Sequence, residues 1–397
     1  MTNETKNVPE LRFPEFEGEW DEKELGEIGE KVKTKNKFEK FDETFTNSAE
    51  QGIVSQKEYF EKDISNSKNL SNYYVVENND FVYNPRISNY APVGPINRNK
   101  LKRTGVMSPL YTIFKMRKVD YTFCEYFFSS TKWHNFMKLN GDSGARSDRF
   151  SIKDSIFFKM PIKVPTNLEQ QKIGDFFSKL DRQIELEEKK LALLEEQKKG
   201  YMQKIFSQEL RFKDENGNDY PMWEFKKLGE LYKVVMGQSP KGINYTDDNS
   251  YPVLVQGNAD IYNGNIFPRI YTKEITKLVK KGDILLTVRA PVGEIGIAQF
   301  EACIGRGVCS IEGNKFIYYF LEMFGIQNKW QKLSQGSTFE SISGSEVRNI
   351  EIPIPNSCEC EKISHFFSEL DHLINMHSQK VDGLKERKKG LLQKMFV

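Results

Sequence analysis

The side chains best equipped for chemistry in this sequence are cationic. From Arg98 through Lys118 the chain carries Arg98, Lys100, Lys102, Arg103, Lys115, Arg117 and Lys118 without one Asp or Glu, and Tyr111 and Phe114 stand among them. Cations interleaved with rings suit contact with a phosphate backbone beside a sheet; a solvated hairpin is the competing reading. Arg86 and Arg289 end two matching apolar runs, where a guanidinium could reach a guanine edge. Alternatively they could pair with Asp80 and Asp283, six residues earlier on the same strand face. Two Gly-Ser stretches, Gly141 to Ser151 and Gly336 to Ser343, offer backbone N–H groups and hydroxyls, including those of Ser143 and Ser337. Only the first adds Arg146 and Arg149, and a flexible connector is the plainer reading of both. Lys273 and Arg306 complete the candidate nucleic-acid contacts of the second half.

Catalytic patterns are missing. Asn84-Pro85-Arg86-Ile87 lacks the second Pro and the aromatic of the Asn-Pro-Pro-aromatic motif of adenine methyltransferases, and it reads as a turn. No Gly-rich cofactor loop follows a strand and no Walker phosphate loop occurs. Cys358 and Cys360 have no second ligand pair at zinc spacing, while His134, His365, His372 and His377 are scattered or helical. Acid-x-Lys triplets such as Glu187-Glu188-Lys189 fall in a charged helix, where solvated faces produce them freely. The expectation is a chain with no active site, no metal and no bound cofactor.

What must position the cations is an architecture written twice. Lys172-Ile173, Phe176-Phe177-Ser178, Leu180-Asp181, Ile184, Lys198-Lys199-Gly200, Gln203-Lys204 and Phe206 recur, ungapped, from Lys362-Ile363 to Phe396. Upstream, Leu11-Arg12-Phe13, Trp20 and Leu25-Gly26-Glu27 match Leu210-Arg211-Phe212, Trp223 and Leu228-Gly229-Glu230. Ala91 to Gly94 matches Ala290 to Gly293, and Gly105-Val106 with Ser108 matches Gly307-Val308 with Ser310.

Each unit therefore reads as a divergent module followed by a well-matched helix. In the first helix Ile173, Phe177, Leu180, Ile184, Leu191 and Leu194 fall on three- and four-residue steps. Ile363, Phe367, Leu370, Ile374, Val381 and Leu384 repeat the pattern in the second. So narrow a stripe needs partner helices, and its own duplicate is the first expected. Runs such as Phe81 to Tyr83 and Ile284 to Val288, bounded by Asn, Gly and Pro, predict strands.

The predicted fold class is α+β (mixed α/β). Two pseudo-symmetric modules, residues 1–165 and 207–355, are separated by two long antiparallel coiled-coil helices, 166–206 and 356–397, in a circular pseudo-twofold arrangement. Pseudo-symmetry also asks that Phe396 lie near Leu11.

At 397 residues the chain suits two domains. An apolar share of 38% allows real cores. A formal charge of +2, from 58 basic and 56 acidic residues, does not by itself announce a nucleic-acid partner. The polar start, the lack of any bilayer-length apolar run and five scattered cysteines predict a cytoplasmic protein with reduced thiols.

The order of a variable module, a late Gly-Ser loop, a Pro-bounded strand and a Lys-Ile…Phe-Phe…Leu-Asp helix, then the whole again, resembles type I restriction-modification specificity subunits over essentially the entire chain. Leu11-Arg12-Phe13-Pro14 and Gly282-Asp283…Arg289…Pro291-Val292-Gly293 are similar to the same family. One departure stands out: Glu169-Gln170-Gln171, which has the family's form, becomes Glu359-Cys360-Glu361 before the second helix.

The resemblance implies two target-recognition domains that each read one half of a bipartite double-stranded DNA site, with the helices as a ruler. It further implies two methyltransferase subunits carrying S-adenosylmethionine, and two restriction subunits using ATP and Mg. The alternatives are another bipartite DNA-binding adaptor or a pure coiled-coil scaffold, which would explain the helices but not two large aromatic-rich modules. A stand-alone methyltransferase would need the missing cofactor loop.

Overall fold

The protein is described by a computed structural model over residues 7–60, 70–143, 148–334 and 340–397. One series of elements occurs twice. Strand Asp21–Glu24 pairs antiparallel with Pro161–Val164, and Glu224–Lys227 pairs in the same way with Glu351–Ile354. The main sheet of the first module runs Gly29–Lys31, Thr112–Met116, Phe81–Tyr83, Ile96–Arg98. In the second module Val234–Met236, Val308–Ile311, Ile284–Thr287 and Ile295–Ile297 take the same order, extended by Asn265–Ile266 and Ile261–Tyr262. A smaller pairing, Tyr74–Val76 with Gly105–Met107, corresponds to Leu278–Val279 with Ala302–Ile304.

The central strands are short apolar runs because both of their faces are covered: Phe81, Val82 and Tyr83 are buried, as are Ile284 through Thr287. Helices Tyr121–Ser129 and Lys315–Ile326 follow the sheets. Asp120, whose carboxylate accepts the N–H groups of Thr122 and Phe123, caps the first, and Asn314, which accepts from Ile317, caps the second. Gly94 and Gly293 occupy the same hairpin corner at φ +82° and +93°. A Cβ there would sit 2.1 Å from the Asn84 carbonyl or 2.4 Å from the Trp330 ring, so only glycine fits.

The topology corrects one match drawn from sequence. Gly105-Val106 opens the strand whose counterpart is Ala302–Ile304, whereas Gly307-Val308 leads into the counterpart of Thr112–Met116. Two short Gly-Val pairs one strand apart had aligned by composition alone.

The long helices span Asn167–Phe206 and Ser357–Lys394. They are not separate bodies. One compact unit holds Met1–Glu188 with Gln379–Val397, and the other holds Lys189–Ser378, so each takes one module and part of both helices. Inside the first unit, Lys380 pairs with Glu187 at 2.5 Å and Lys388 with Asp181 at 2.5 Å, which makes the helix segments antiparallel. Inside the second, Lys198 pairs with Asp371 at 2.7 Å, the symmetry mate of Lys388 and Asp181. Tyr126 donates to Asp181 and Tyr319 to Asp371, each at 2.8 Å.

The predicted seam is only partly a helix–helix seam. Ile173, Phe177, Leu180 and Ile184 are buried in one cluster with Trp20, Phe123 and Phe127 of their own module, and Phe396 stacks on Phe177 at 6.1 Å. Ile363 and Phe367 do the same with Trp223 and Phe316, and Phe206 stacks on Phe367 at 6.1 Å. Val381 is buried, while Leu191, Leu194, Leu370, Ile374 and Leu384 are half-buried. The start of each stripe is thus claimed by aromatic rings from the preceding module, which periodicity along a helix cannot reveal. The ends of the described chain meet within the first unit, where the Leu11 N–H donates to the Lys394 carbonyl at 2.9 Å.

Helix entry is also duplicated. Arg12 Nε and Nη2 donate to the fully buried Glu169 at 2.8 and 2.7 Å, and Arg211 does so to Glu359 at 3.1 and 2.7 Å. The departure next to these glutamates changes the side-chain contacts at the helix entry. Gln170 accepts the Asp120 N–H and donates to the Pro165 carbonyl, whereas the Cys360 sulfur accepts from the Asn314 amide at 3.8 Å.

Candidate nucleic-acid interface

Beyond Phe81–Tyr83 the chain continues through Asn84 and Pro85 to Arg86, which forms an isolated antiparallel bridge with Arg149. The Ile87 N–H donates to the Asp148 carbonyl and the Phe150 N–H to the Pro85 carbonyl, both within 2.9 Å. The second module repeats this frame. Arg289 bridges Ser341, Ala290 donates to Glu340 and Ile342 donates to Val288. Arg86, Arg149, Arg289 and Ser341 are all exposed. One backbone frame therefore presents two arginines in the first module and an arginine with a serine in the second.

The alternative pairing with aspartate is ruled out. Asp80 is 2% exposed and accepts the Glu77 N–H at 2.7 Å, and Asp283 accepts the Lys280 N–H at 2.8 Å. Both close the turn before their strand. Burial pushes the Asp80 carboxyl up to about 6. Arg86 and Arg289 keep their guanidinium groups free of them.

A buried amide network fixes the frame in the first module. Asn47, 1% exposed, donates to the Val82 carbonyl at 2.7 Å and accepts from Asn97 at 2.7 Å. Asn84 donates to the Asn47 carbonyl at 2.8 Å and accepts the Arg86 N–H at 3.0 Å. These groups hold one wall of a cleft of about 480 Å³ that Arg86 and Arg149 line with Tyr59, Tyr90 and Tyr111. Nothing in the sequence marked Asn47 or Asn97, because their partners lie on distant strands. In the second module Thr287 takes the place of Asn84 and turns inward, donating to the Pro291 carbonyl at 3.0 Å.

The basic run is not a free cationic surface. Arg98 and Lys100 both pair with Glu125 at 2.6 Å, and Arg98 is largely buried. Arg103 forks onto Glu43 with contacts of 2.7 to 3.0 Å, Lys115 pairs with Glu77, and Arg117 pairs with Glu30. Every partner comes from another element, so a stretch without acids in sequence has most of its cations paired in space. Lys102, at φ +58° in a turn, is exposed with no carboxylate partner among the described residues.

Ser143 is exposed, while Arg146 and Ser337 lie outside the described residues. Arg306 is exposed at a turn whose Gly307 carbonyl accepts the Val288 N–H, one residue before Arg289. Lys273 is exposed, with its ammonium 5.7 Å over the Tyr251 ring. Among the described residues no group of three or more His, Cys, Asp or Glu is arranged to hold a metal, and no helix is long and apolar enough to cross a membrane.

A duplicated α+β module, each copy closed by a long helix and each offering a strand-end arginine, defines the class of protein. The type I restriction modification DNA specificity domain matches residues 17–196 and again 221–386, and the chain belongs to that family.

Three relatives from Methanocaldococcus jannaschii are similar. The provisionally named type I restriction enzyme MjaX specificity subunit is 32% identical over 62% of this chain and 61% of its own length. The MjaIX specificity subunit is 26% identical over 48% of each chain. The MjaVIII specificity subunit is 26% identical over 62% of this chain and 63% of its own. The chain thus spans about half to two thirds of the length of these relatives.

Two solved structures share the fold. One chain, from a study of complex assembly and conformational transition of the type I R-M system, has a TM-score of 0.59 and 20% identity. It covers 97% of this chain and 99% of its own. The S subunit of a type I restriction-modification system from M. genitalium has a TM-score of 0.59 and 15% identity, covering 98% and 99%.

Proposed function

We propose that this chain is the non-catalytic DNA-specificity subunit of a type I restriction-modification complex. Each module reads one half of a bipartite duplex target, and the long helices set the distance between the halves. The observation that carries this is the repeated frame with unequal contents. Arg86 and Arg149 stand where the second module has Arg289 and Ser341, so one geometry offers two different sets of donors to base edges. Arg306 and Lys273 border the second set or lie on the same module, and they serve phosphate contact, as does Lys102 in the first.

S-adenosylmethionine belongs to two methyltransferase subunits, and ATP and Mg to two restriction subunits, so the chemistry is the partners'. The long helices offer those subunits exposed apolar side chains, Leu186 and Leu193 on the first and Leu373 and Met376 on the second.

Replacing residues 1–165 with the corresponding part of a relative, in cells carrying the complex, tests the reading. Methylome sequencing should show one half of the methylated motif changed and the other half intact. A change in both halves would overturn independent reading.

A further inference from the structure

A denser group of unpaired cations than the basic run offers lies earlier in the first module. Between Lys31 and Lys40 the chain places Lys31, Lys33, Lys35, Lys37 and Lys40 against a single acid, Glu39. Lys31 pairs with Asp154. Among the described residues none of Lys33, Lys35, Lys37 and Lys40 has a carboxylate partner. Lys35 lies 6.0 Å over the Tyr74 ring and Lys40 lies 5.5 Å over Phe41. At the tip Phe38 is 96% exposed. A phenyl ring that open among four unpaired ammonium groups gains nothing from the fold of this chain.

The segment is nevertheless built. The Val32 N–H donates to the Ile113 carbonyl, the Val75 N–H to the Thr34 carbonyl, and the Asn36 N–H to the Tyr73 carbonyl, all at 2.8 to 2.9 Å. Asn36 is 3% exposed, and its amide closes the loop from inside by donating to the Phe41 carbonyl at 2.7 Å and accepting the Phe41 N–H at 3.2 Å. Glu39 sits at φ +48° and donates its N–H to the Asn36 carbonyl. Tyr73, to which the loop is tied, lines the cleft of Arg86 and Arg149, and Thr44 to Ser48 of the same cleft follow shortly after the loop. The loop is thus a fixed cationic rim beside the arginines. In the second module the corresponding segment after Val234–Met236 has one lysine, Lys241, and an exposed Ile243.

We infer that the Lys33–Lys40 loop is a phosphate clamp: its four lysines grip the phosphodiester backbone of duplex DNA flanking the first half-site, with Phe38 as an apolar contact in the adjoining groove. This rests on the DNA-reading function proposed above and adds an unequal division of labour, in which the first module supplies more of the sequence-independent grip. Phosphate contacts fix register without carrying sequence information, whereas the arginines in the cleft face base edges.

The test uses the chain assembled with its methyltransferase subunits and two fluorescent duplexes of about 40 base pairs. One carries the motif found by methylome sequencing and one lacks it. Affinity is followed from about 50 to about 250 mM KCl. Each neutralised phosphate contributes about 0.9 to the slope of log affinity against log salt. The quadruple variant Lys33→Ala, Lys35→Ala, Lys37→Ala, Lys40→Ala is expected to reduce the slope by about 2 to 4 and weaken both duplexes about 10- to 100-fold near 0.15 M salt, leaving their ratio unchanged.

The milder pair Lys37→Gln, Lys40→Gln should reduce the slope by about 1 to 2, which guards against a folding defect in the larger variant. Phe38→Ala should weaken binding with the slope unchanged, since an apolar contact releases no counterion. A slope unaltered in both lysine variants overturns the clamp while leaving the specificity function standing. Loss of the methyltransferase subunits with the slope unaltered would make the loop a protein-docking element instead, and also overturns it. Failure of the parent complex to bind either duplex would instead refute the underlying reading.

Discussion

Two tryptophans in equivalent places offer a direct measurement of one buried hydrogen bond. Trp223 donates its indole N–H to Glu359 at 2.8 Å, in a site where Arg211 also reaches that carboxylate. Trp20 is its counterpart, 2% exposed, but its Nε1 has no partner among the described residues, although Arg12 holds Glu169 in the same way. Their ring surroundings are alike: Trp223 lies 5.9 Å from Phe316, and Trp20 lies 5.9 Å from Phe123.

Replacing either tryptophan by phenylalanine therefore removes similar packing. Trp223→Phe also loses a hydrogen bond to a charged acceptor, worth about 1.5 to 3 kcal/mol. Trp20→Phe instead relieves a buried, unsatisfied donor, whose desolvation costs about 1 to 3 kcal/mol. Trp223→Phe should accordingly be the more damaging by at least about 2 kcal/mol, equivalent to about 4 to 8 °C in Tm for a unit of 150–250 residues. Urea and thermal unfolding of the two full-length variants, followed by far-ultraviolet circular dichroism, read the difference. Equal losses, or a larger loss for Trp20→Phe, would refute the reasoning.

Asp80 gives a pH prediction. Its folded pKa, about 6, lies above the unfolded value because burial disfavours the charged form. The stabilisation from its protonated form is therefore complete below about pH 4 and lost as pH rises through about 6. Asp80→Asn keeps an acceptor for the Glu77 N–H without the charge, so its stability relative to the parent should climb by up to about 3 kcal/mol between about pH 4 and pH 7. Parallel pH profiles in denaturant titrations would refute this. Arg86→Ala should relax discrimination in one half-site and Arg289→Ala in the other, each by about 1 to 3 kcal/mol, measured as methylation rates on duplexes substituted one base pair at a time. Uniform weakening across all duplexes would place these arginines on phosphates.

What could be read in the sequence was whatever is local or repeated. The long helices and the two modules follow from a constant offset and a three-four periodicity, and the strand-end arginines followed from matching runs before Ala-Pro-Val-Gly. What could not be read depends on partners far along the chain. Glu125, Glu43, Glu77 and Glu30 pair with most cations of a run that carries no acid of its own. Asn84 read as part of a turn, and nothing marked Asn47 and Asn97, which only the fold brings to it. The helix stripe was assigned to the duplicate helix because periodicity shows that a face is buried, not what covers it. The lysines of 31–40 stand at near-alternate positions in the sequence, but nothing there shows that no carboxylate of the described residues reaches four of them.

Leu392, Met395 and Phe396 complete the core that contains Trp20, Phe123 and Phe177, whereas the second unit is one uninterrupted stretch, Lys189–Ser378. On the ribosome the module made first is consequently the one finished last. Its aromatic core stays open while the whole second unit emerges and folds, reversing the N-terminal-first order usual for multidomain chains. Removal of Leu392 to Phe396 would spare the second unit, the one nearest to them in sequence, and open the core of the first. The module disabled would be the one synthesised first.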